Sequence, residues 1–154
     1  MHINSRLFGE IDVDDNKIIT FESGIIGFDE CRHFTLLYDS EKGNQRSIMW
    51  LQSVERPELA FPVADPMSIS REYNPIVEDE WLEPIGEIKN EEDIYVLVIL
   101  TVPSDLTRMT ANLKAPVIIN TGTMKGCQLI VNNEEYQVRY NVYDYIQELK
   151  KGGK

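Results

Sequence analysis

The sequence predicts a mainly β, single-domain fold, either an antiparallel sandwich or an antiparallel barrel. Short strand-like runs alternate with turn signals along most of the chain, and segments with helical periodicity are scarce. The 154 residues, 42% of them apolar, are enough for one hydrophobic core without disulfide support. We therefore expect one domain over residues 1–150, followed by a frayed tail at residues 151–154.

The first half of the chain predicts five strands, of which the first four form two hairpins. The strands are expected at residues 7–13, 18–21, 34–38, 48–51 and 59–63. Polar stretches at 14–17 and 42–44 contain the turn-forming residues of the two hairpins. Pro62 has no N–H group to donate to a ladder, so we expect it on an edge strand or at a bulge.

The second half predicts four further strands, at residues 94–102, 115–120, 127–131 and 136–142. The first of these is apolar at successive positions, which is typical of a strand that is buried on both faces. Turns at 121–126 and 132–135 separate the others. Closely spaced turns of this kind favour antiparallel pairing between neighbours in the sequence.

Two short helices complete the predicted elements. Asn74 is suited to an N-cap and Pro75 to the first helical position, while Pro84 would end this helix by restricting the residue before it. A second helix is expected at the C-terminus, where three apolar residues have the spacing i, i+4 and i+7. They are Val142, Ile146 and Leu149.

Composition and charge exclude several classes of protein. The longest apolar run, at residues 94–100, is far shorter than the ~20 residues that span a bilayer, and no secretory signal follows Met1. Because 26 acidic and 15 basic residues leave a net charge of −11, direct binding to nucleic acid is disfavoured. We expect a cytoplasmic protein that binds neither membrane nor nucleic acid directly.

The acidic excess is concentrated in residues 72–93, which we call the acidic segment. Nine acidic residues against Lys89 give this segment a net charge of −8. It is either a solvated face that aids solubility or a docking surface for a basic partner, since complementary charge speeds association and rejects wrong partners. The sequence alone leaves both alternatives open.

Signals for chemistry are weak, and we predict no catalytic residue, metal site or cofactor. Cys31 and His33 invite a nucleophile–base interpretation, and Cys127 adds a possible metal ligand, but two or three ligands do not make a structural zinc site. Free thiols that play no chemical role are the simpler interpretation. The alternative function from another class is a Cys-dependent enzyme that uses Cys31 and His33, or a barrel that holds a small ligand.

Three groups of motifs carry a resemblance to a known family. In one-letter code they are FESGIIGF (21–28) with FTLL (34–37), WLQS (50–53) with FPVADP (61–66), and TVP (101–103) with TANLKAPVIIN (110–120). Gln128 and Tyr136 follow downstream. In this order and spacing, over roughly residues 3–145, the chain resembles the bacterial flagellar assembly factor FliW family.

The resemblance implies a mostly antiparallel β-barrel-like fold without a cofactor, and two alternative protein partners. One is CsrA, a dimeric RNA-binding protein that represses flagellin translation, and the other is flagellin before its export. The acidic bias, found independently, suits a binder of a basic RNA-binding protein. The candidate partner-binding residues are Glu72, Glu78, Asp79, Glu80, Glu83 and Asn112.

The other matched residues have structural interpretations. We expect Gly24 and Gly27 to adopt backbone angles that other residues avoid. Four matched aromatic residues are expected in the core, namely Phe28, Phe34, Trp50 and Phe61. Asn112 is also expected to shape a turn before the strand at 115–120.

Overall fold

Eleven strands and five short 3₁₀ helices make up the regular structure of the computed structural model, which describes residues 2–6, 8–38, 49–69 and 72–142. The strands are β1 (His2–Ser5), β2 (Gly9–Asp12), β3 (Ile19–Phe21), β4 (His33–Tyr38), β5 (Met49–Ser53), β6 (Ala60–Ala64), β7 (Ile94–Thr101), β8 (Thr110–Ala111), β9 (Val117–Asn120), β10 (Lys125–Gln128) and β11 (Tyr140–Asn141). The 3₁₀ helices are Asp15–Lys17, Pro66–Ser68, Asp79–Ile85, Glu91–Asp93 and Leu106–Arg108. No helix in this described part of the chain is long and apolar enough to cross a bilayer.

Seven strands close into a barrel in the order β7, β6, β5, β4, β3, β10 and β9, because β9 pairs back onto β7. All pairs in the barrel are antiparallel except β3 with β10, which are parallel. Beyond the barrel, β8 extends the sheet from β7 and β11 pairs with β8. The β1–β2 hairpin forms a separate two-stranded sheet. The prediction of a mainly β, barrel-like fold is confirmed.

The barrel interior is filled by aromatic and aliphatic side chains. Phe21 and Phe34 are fully buried and pack edge to face, with ring centroids 5.3 Å apart. The half-buried Phe28 and Phe61 make a second edge-to-face pair at the same distance. The expected core position therefore holds fully for Phe34 and partly for Phe28 and Phe61. Trp50 is half-buried and lies outside the main clusters of buried residues.

The outer faces of β7 and β9 are also covered. Leu97 and Val117 belong to the barrel interior, whereas Val98 packs outside with the segment around Tyr73 and Ile118 packs outside with Ile85. Adjacent strand residues point to opposite faces, so both faces of these strands carry apolar contacts. The prediction of a strand buried on both faces within residues 94–102 is confirmed at its centre.

The first predicted hairpin is wrong, although its strands exist in shortened form. β2 pairs with β1, and β3 pairs with β4 and β10 instead of with β2. The 3₁₀ helix Asp15–Lys17 carries the chain away from the exposed β2, and Ile19 and Phe21 are buried in the barrel. Burial of these two side chains outweighs the local turn signal. The second predicted hairpin is confirmed as β4–β5, and its turn lies outside the described residues.

Pro62 does not lie on an edge strand, because β6 is paired on both sides, with β5 and β7. The ladder to β7 covers only Val63 and Ala64, however. Pro62 lies beyond the end of that ladder, so its missing N–H group leaves no hydrogen bond to β7 unmade.

The helix predicted to begin at Asn74 and to end before Pro84 is present only in part, as a short 3₁₀ helix that begins and ends later. Residues 73–78 have no regular structure, and the 3₁₀ helix begins only at Asp79 and contains Pro84. The backbone N–H of Asn74 donates to the Tyr136 hydroxyl at 2.5 Å, and that of Ile76 donates to Asn133 at 2.9 Å. These contacts hold the backbone outside helical geometry, as Pro75 also favours for the residue before it. The predicted C-terminal helix lies outside the described residues beyond Val142.

Candidate partner-binding surface

The middle of the acidic segment is anchored to the outside of the barrel. Ile85 is fully buried and packs with Ile118 and Cys127 of β9 and β10. The Asn120 side-chain amide donates to the carbonyl oxygens of Ile85 and Glu87, at 3.0 and 3.1 Å. The segment is therefore held by both apolar packing and buried hydrogen bonds.

Gly86 makes the turn that follows the 3₁₀ helix possible. Its backbone has φ +81° and ψ −174°, a region that is essentially restricted to glycine. A Cβ atom at this position would lie 2.9 Å from Cγ2 of Thr123. The hydroxyl of Thr123 in turn donates to the carbonyl oxygen of Ile85 at 2.6 Å. Close approach of the segment to the β9–β10 turn thus requires glycine here.

The beginning of the acidic segment is held by aromatic residues. The Tyr73 and Tyr136 rings pack with centroids 4.6 Å apart, and the Tyr73 hydroxyl donates to the carbonyl oxygen of Leu113 at 2.8 Å. Burial, and to a lesser extent the neighbouring Tyr136, raises the pKa of Tyr73. With the contacts of Asn74 and Ile76 already described, the segment is anchored at its start as well as at its middle.

The acidic side chains themselves face outward. The exposed candidates are Glu72, Glu78, Asp79, Glu80 and Glu83. Across the described residues, none of these five carboxylates forms an ion pair or accepts a side-chain hydrogen bond. Trp81 and Leu82 lie between them in the chain and are half-buried. The acidic segment thus presents exposed carboxylates that have no ion-pair partner among the described residues, and it does so on an anchored backbone.

An apolar groove of about 480 Å³ lies beside the beginning of the acidic segment. Its lining residues are Met49, Asp65, Pro66, Met67, Tyr73, Pro75, Ile94, Tyr95, Val96 and Leu97. Met67 and Tyr95 are each about half exposed, at 50% and 48%. Tyr73 and Pro75 belong to the acidic segment, so the beginning of that segment lines the groove. Ile76, 64% exposed, follows them in the chain.

Asn112 lies in a turn and does not line the groove. Its side-chain oxygen accepts hydrogen bonds from the backbone N–H groups of Lys114 and Ala115, both at 3.1 Å. Its own backbone N–H donates to the carbonyl oxygen of Ile99 at 2.9 Å. These bonds shape the connection between β8 and β9, in agreement with the turn-forming interpretation.

Cys31 and His33 do not converge. Cys31 is fully buried in the barrel core, whereas His33 is exposed and its Nδ1 lies 2.6 Å from Oε2 of Glu55. Burial raises the pKa of the Glu55 carboxyl, but hydrogen bonds from the His33 side chain and from backbone N–H groups, including that of Arg32, outweigh it and lower the pKa overall. The geometry offers no nucleophile–base pair at these residues.

The second thiol, Cys127, lies outside the barrel beneath the acidic segment. Burial raises its pKa to about 11, so the thiol is protonated at neutral pH. Within the described ranges, no group of three or more His, Cys, Asp or Glu side chains is arranged to hold a metal ion.

The family model described as FliW protein matches residues 2–142. The chain belongs to the FliW family. It is 50% identical over 147 residues to the flagellar assembly factor FliW of Lachnospira eligens, covering 96% of this chain and 97% of the relative. It is 49% identical over 151 residues to that of Lachnoclostridium phytofermentans, covering 98% and 96%.

A crystal structure of the flagellar assembly factor FliW has the same fold, with a TM-score of 0.83. The two chains are 34% identical, and the match covers 93% of this chain and 97% of the other. The function that follows is that of a flagellar assembly factor, and none of these descriptions names an enzyme. The resemblance stated from the sequence motifs is therefore confirmed.

The FliW motif glycines and amides serve local structure. Gly24 has φ +72°, and a Cβ atom there would lie 2.8 Å from the backbone of Phe28 and Asp29. The Gln128 side chain accepts from the Ile26 N–H at 2.9 Å and donates to the Ala115 carbonyl oxygen at 3.1 Å. The sequence did not predict these contacts between distant segments of the chain. It also did not predict the groove lined by Met67 and Tyr95, because no local sequence pattern connects the segments involved.

Proposed function

We propose that this FliW-family protein is a cytoplasmic, non-enzymatic regulator that binds two proteins, CsrA and flagellin. The acidic segment binds CsrA, and the apolar groove beside it binds flagellin. When flagellin is exported, the freed protein captures CsrA and relieves repression of flagellin translation. When flagellin accumulates, it occupies the protein and repression returns. Flagellin translation is thereby coupled to flagellin export.

The observation that carries this proposal is the acidic face of residues 72–93. Its backbone is fixed by Ile85 and Gly86 at the middle and by Tyr73 at the start, while its candidate carboxylates have no internal partner among the described residues. An RNA-binding protein presents clustered Lys and Arg to phosphate groups. An acidic segment with an anchored backbone, opposite such a surface, accelerates association and loses little backbone freedom on binding.

The apolar groove supports the second partner. Flagellin termini, as the family resemblance implies, are amphipathic helices, and such helices bind by placing their apolar face in a hydrophobic groove. Met67 and Tyr95 offer exposed apolar surface, and Asp65 is the one charged residue among the described residues that line the groove. Because the groove shares Tyr73 and Pro75 with the acidic segment, the two partners would contact adjoining parts of one surface.

Reversal of three charges tests the CsrA site. In the variant Glu78→Lys, Asp79→Lys, Glu80→Lys, each substitution changes the charge by two units, so the net charge goes from −11 to −5. We expect slower association and weaker binding of CsrA, by roughly tenfold or more, because like charges now face each other. Stability should change little, since all three side chains are exposed. Surface plasmon resonance measures both rate constants.

The matched control reverses Glu10, Asp14 and Asp29, which are exposed and lie outside the acidic segment. It makes the same change in net charge, so it separates a local docking effect from a general charge effect. Flagellin binding should change less than CsrA binding in the first variant. Equal loss of CsrA binding in both variants, or no loss in either, would show that the acidic segment is only a solubilising face.

A further inference from the structure

A polar face on the β8–β11 extension of the sheet lies outside the acidic segment and the groove. The register pairs Thr101 of β7 with Thr110 of β8, and Thr110 with Asn141 of β11. These three residues are exposed or half-buried, whereas Leu100 and Ala111, their neighbours in the chain, are buried. The extension therefore has one apolar face on the core and one polar face toward solvent.

Two arginines lie beside this polar face. Arg108 is the last residue of the 3₁₀ helix before β8, and Arg139 lies in the turn just before β11. Met109, between Arg108 and Thr110 in the chain, is buried and packs with the core cluster around Tyr73. Both arginines are exposed, and neither guanidinium group makes an ion pair or hydrogen bond within the described residues.

An open cleft of about 650 Å³ brings these groups together. Besides the two arginines it is lined by three residues that carry hydroxyl groups, Thr101, Ser104 and Thr110. The Asn141 amide, also in the lining, donates to the Thr107 carbonyl oxygen at 3.3 Å and so connects β11 to the 3₁₀ helix that ends at Arg108. Arginine presents several N–H donors in a planar fork that matches a carboxylate.

One acidic group, Asp105, also lines the cleft. Its carboxylate accepts hydrogen bonds from the Thr107 hydroxyl at 2.6 Å and from the Thr107 backbone N–H at 3.1 Å, and these bonds lower its pKa. Asp105 is therefore charged at neutral pH, and among the described residues that line the cleft the two arginines and Asp105 leave one net positive charge.

We propose that this cleft, the arginine cleft, binds an acidic peptide segment, with Arg108 and Arg139 as donors to its side-chain carboxylates. The polar row spans three strands, and neighbouring strands lie ~4.8 Å apart. This width suits an extended segment better than one small anion. The site does not depend on the proposed binding of CsrA or flagellin, because it uses none of the same residues.

Peptide titration tests the arginine cleft. The probe is an acetylated, amidated hexapeptide with two adjacent glutamates, titrated at low salt into the ¹⁵N-labelled full chain while the arginine Nε–H signals are followed by NMR. We expect saturable shifts of the Arg108 and Arg139 signals. For the double variant Arg108→Gln, Arg139→Gln we expect a roughly tenfold higher Kd, equivalent to the loss of ~1.4 kcal/mol of binding free energy. This Kd is measured from peptide-induced changes in the backbone amide spectrum. Lys89→Gln, a charge change of the same sign elsewhere, should leave the Kd within about twofold.

The outcomes separate the possible ligands. Tighter binding to an Asp105→Asn variant would support the proposal, because the competing charge is removed. Equal binding of a peptide with glutamines in place of the glutamates would overturn it. Tighter binding of the glutamine peptide when its C-terminal carboxylate is left free would also overturn the proposal, because the ligand would then be a chain terminus. Tighter binding of inorganic phosphate would overturn it as well, because the ligand would then be a small anion.

Discussion

Individual buried polar side chains connect segments outside the barrel to its strands through hydrogen bonds. Gln52 is fully buried; it accepts from the Ser5 hydroxyl at 2.8 Å and donates to the carbonyl oxygens of Pro57 and Leu59, at 3.1 and 3.2 Å. It thereby joins the separate β1–β2 hairpin to β5 of the barrel. A glutamine within a strand gives no local indication of such partners, so this role was not predictable from sequence.

Gly86 is the residue at which substitution should damage the acidic segment most directly. Gly86→Ala combines a glycine-only backbone conformation with a 2.9 Å approach to Thr123, so we expect it to lower the free energy of unfolding by about 1–3 kcal/mol. Urea denaturation measures the change. Gly9→Ala is the control, because Gly9 also has a positive φ, +75°, but a Cβ atom there would have no other atom within 4 Å. An equal effect of both substitutions would mean that the contact with Thr123 adds nothing.

The two cysteines should be dispensable for partner binding. We expect the double variant Cys31→Ala, Cys127→Ala to bind CsrA and flagellin as the wild type does. Alanine is preferable to serine, because Cys31 is fully buried among apolar side chains and a hydroxyl there would need a partner. In the folded protein at pH 8, Cys127 should react slowly with iodoacetamide, since its pKa of about 11 leaves little thiolate. Fast alkylation without unfolding would contradict this.

At the scale of elements, the sequence predicted which segments form strands better than how they pair. The apolar run of β7 and the strand-like runs at residues 34–38 and 48–51 indicated strands correctly. The pairing of β3 was missed because it depends on burial of Ile19 and Phe21 among distant residues, which outweighs a favourable turn at 14–17. The acidic segment was located by its charge alone, but its lack of helix at 73–78 depends on distant Asn133 and Tyr136.

The groove is the element-scale feature that the sequence did not predict, because β5, β7, the 3₁₀ helix Pro66–Ser68 and the residues around Tyr73 form it together. Met67→Ser with Tyr95→Ser should weaken flagellin binding by roughly 10–30-fold, since two half-exposed apolar side chains lose ~1 kcal/mol each of burial on binding. Isothermal titration calorimetry measures this, with CsrA binding expected to change less. Ile130→Ser with Val138→Ser is the control, because these exposed apolar residues, at 61% and 57%, do not line the groove. Comparable losses in both variants would refute the groove as the flagellin site.

At the scale of the whole molecule, a closed barrel serves as a rigid support for two chemically different surfaces. The net charge of −11 is concentrated outside the barrel, with −8 in residues 72–93. The apolar groove continues from the same segment through Tyr73 and Pro75. We therefore propose that CsrA binds mainly through electrostatic contacts and flagellin mainly through apolar contacts.

The most direct test of this assignment is the salt dependence of the two complexes, measured by titration calorimetry from about 50 mM to about 500 mM NaCl. Exposed charges are screened over ~8 Å at physiological ionic strength and over shorter distances at higher salt. We predict that the affinity for CsrA falls at least roughly tenfold across this range, while the affinity for flagellin changes by less than about threefold. Equal salt sensitivity of the two complexes would contradict the assignment of separate electrostatic and apolar surfaces.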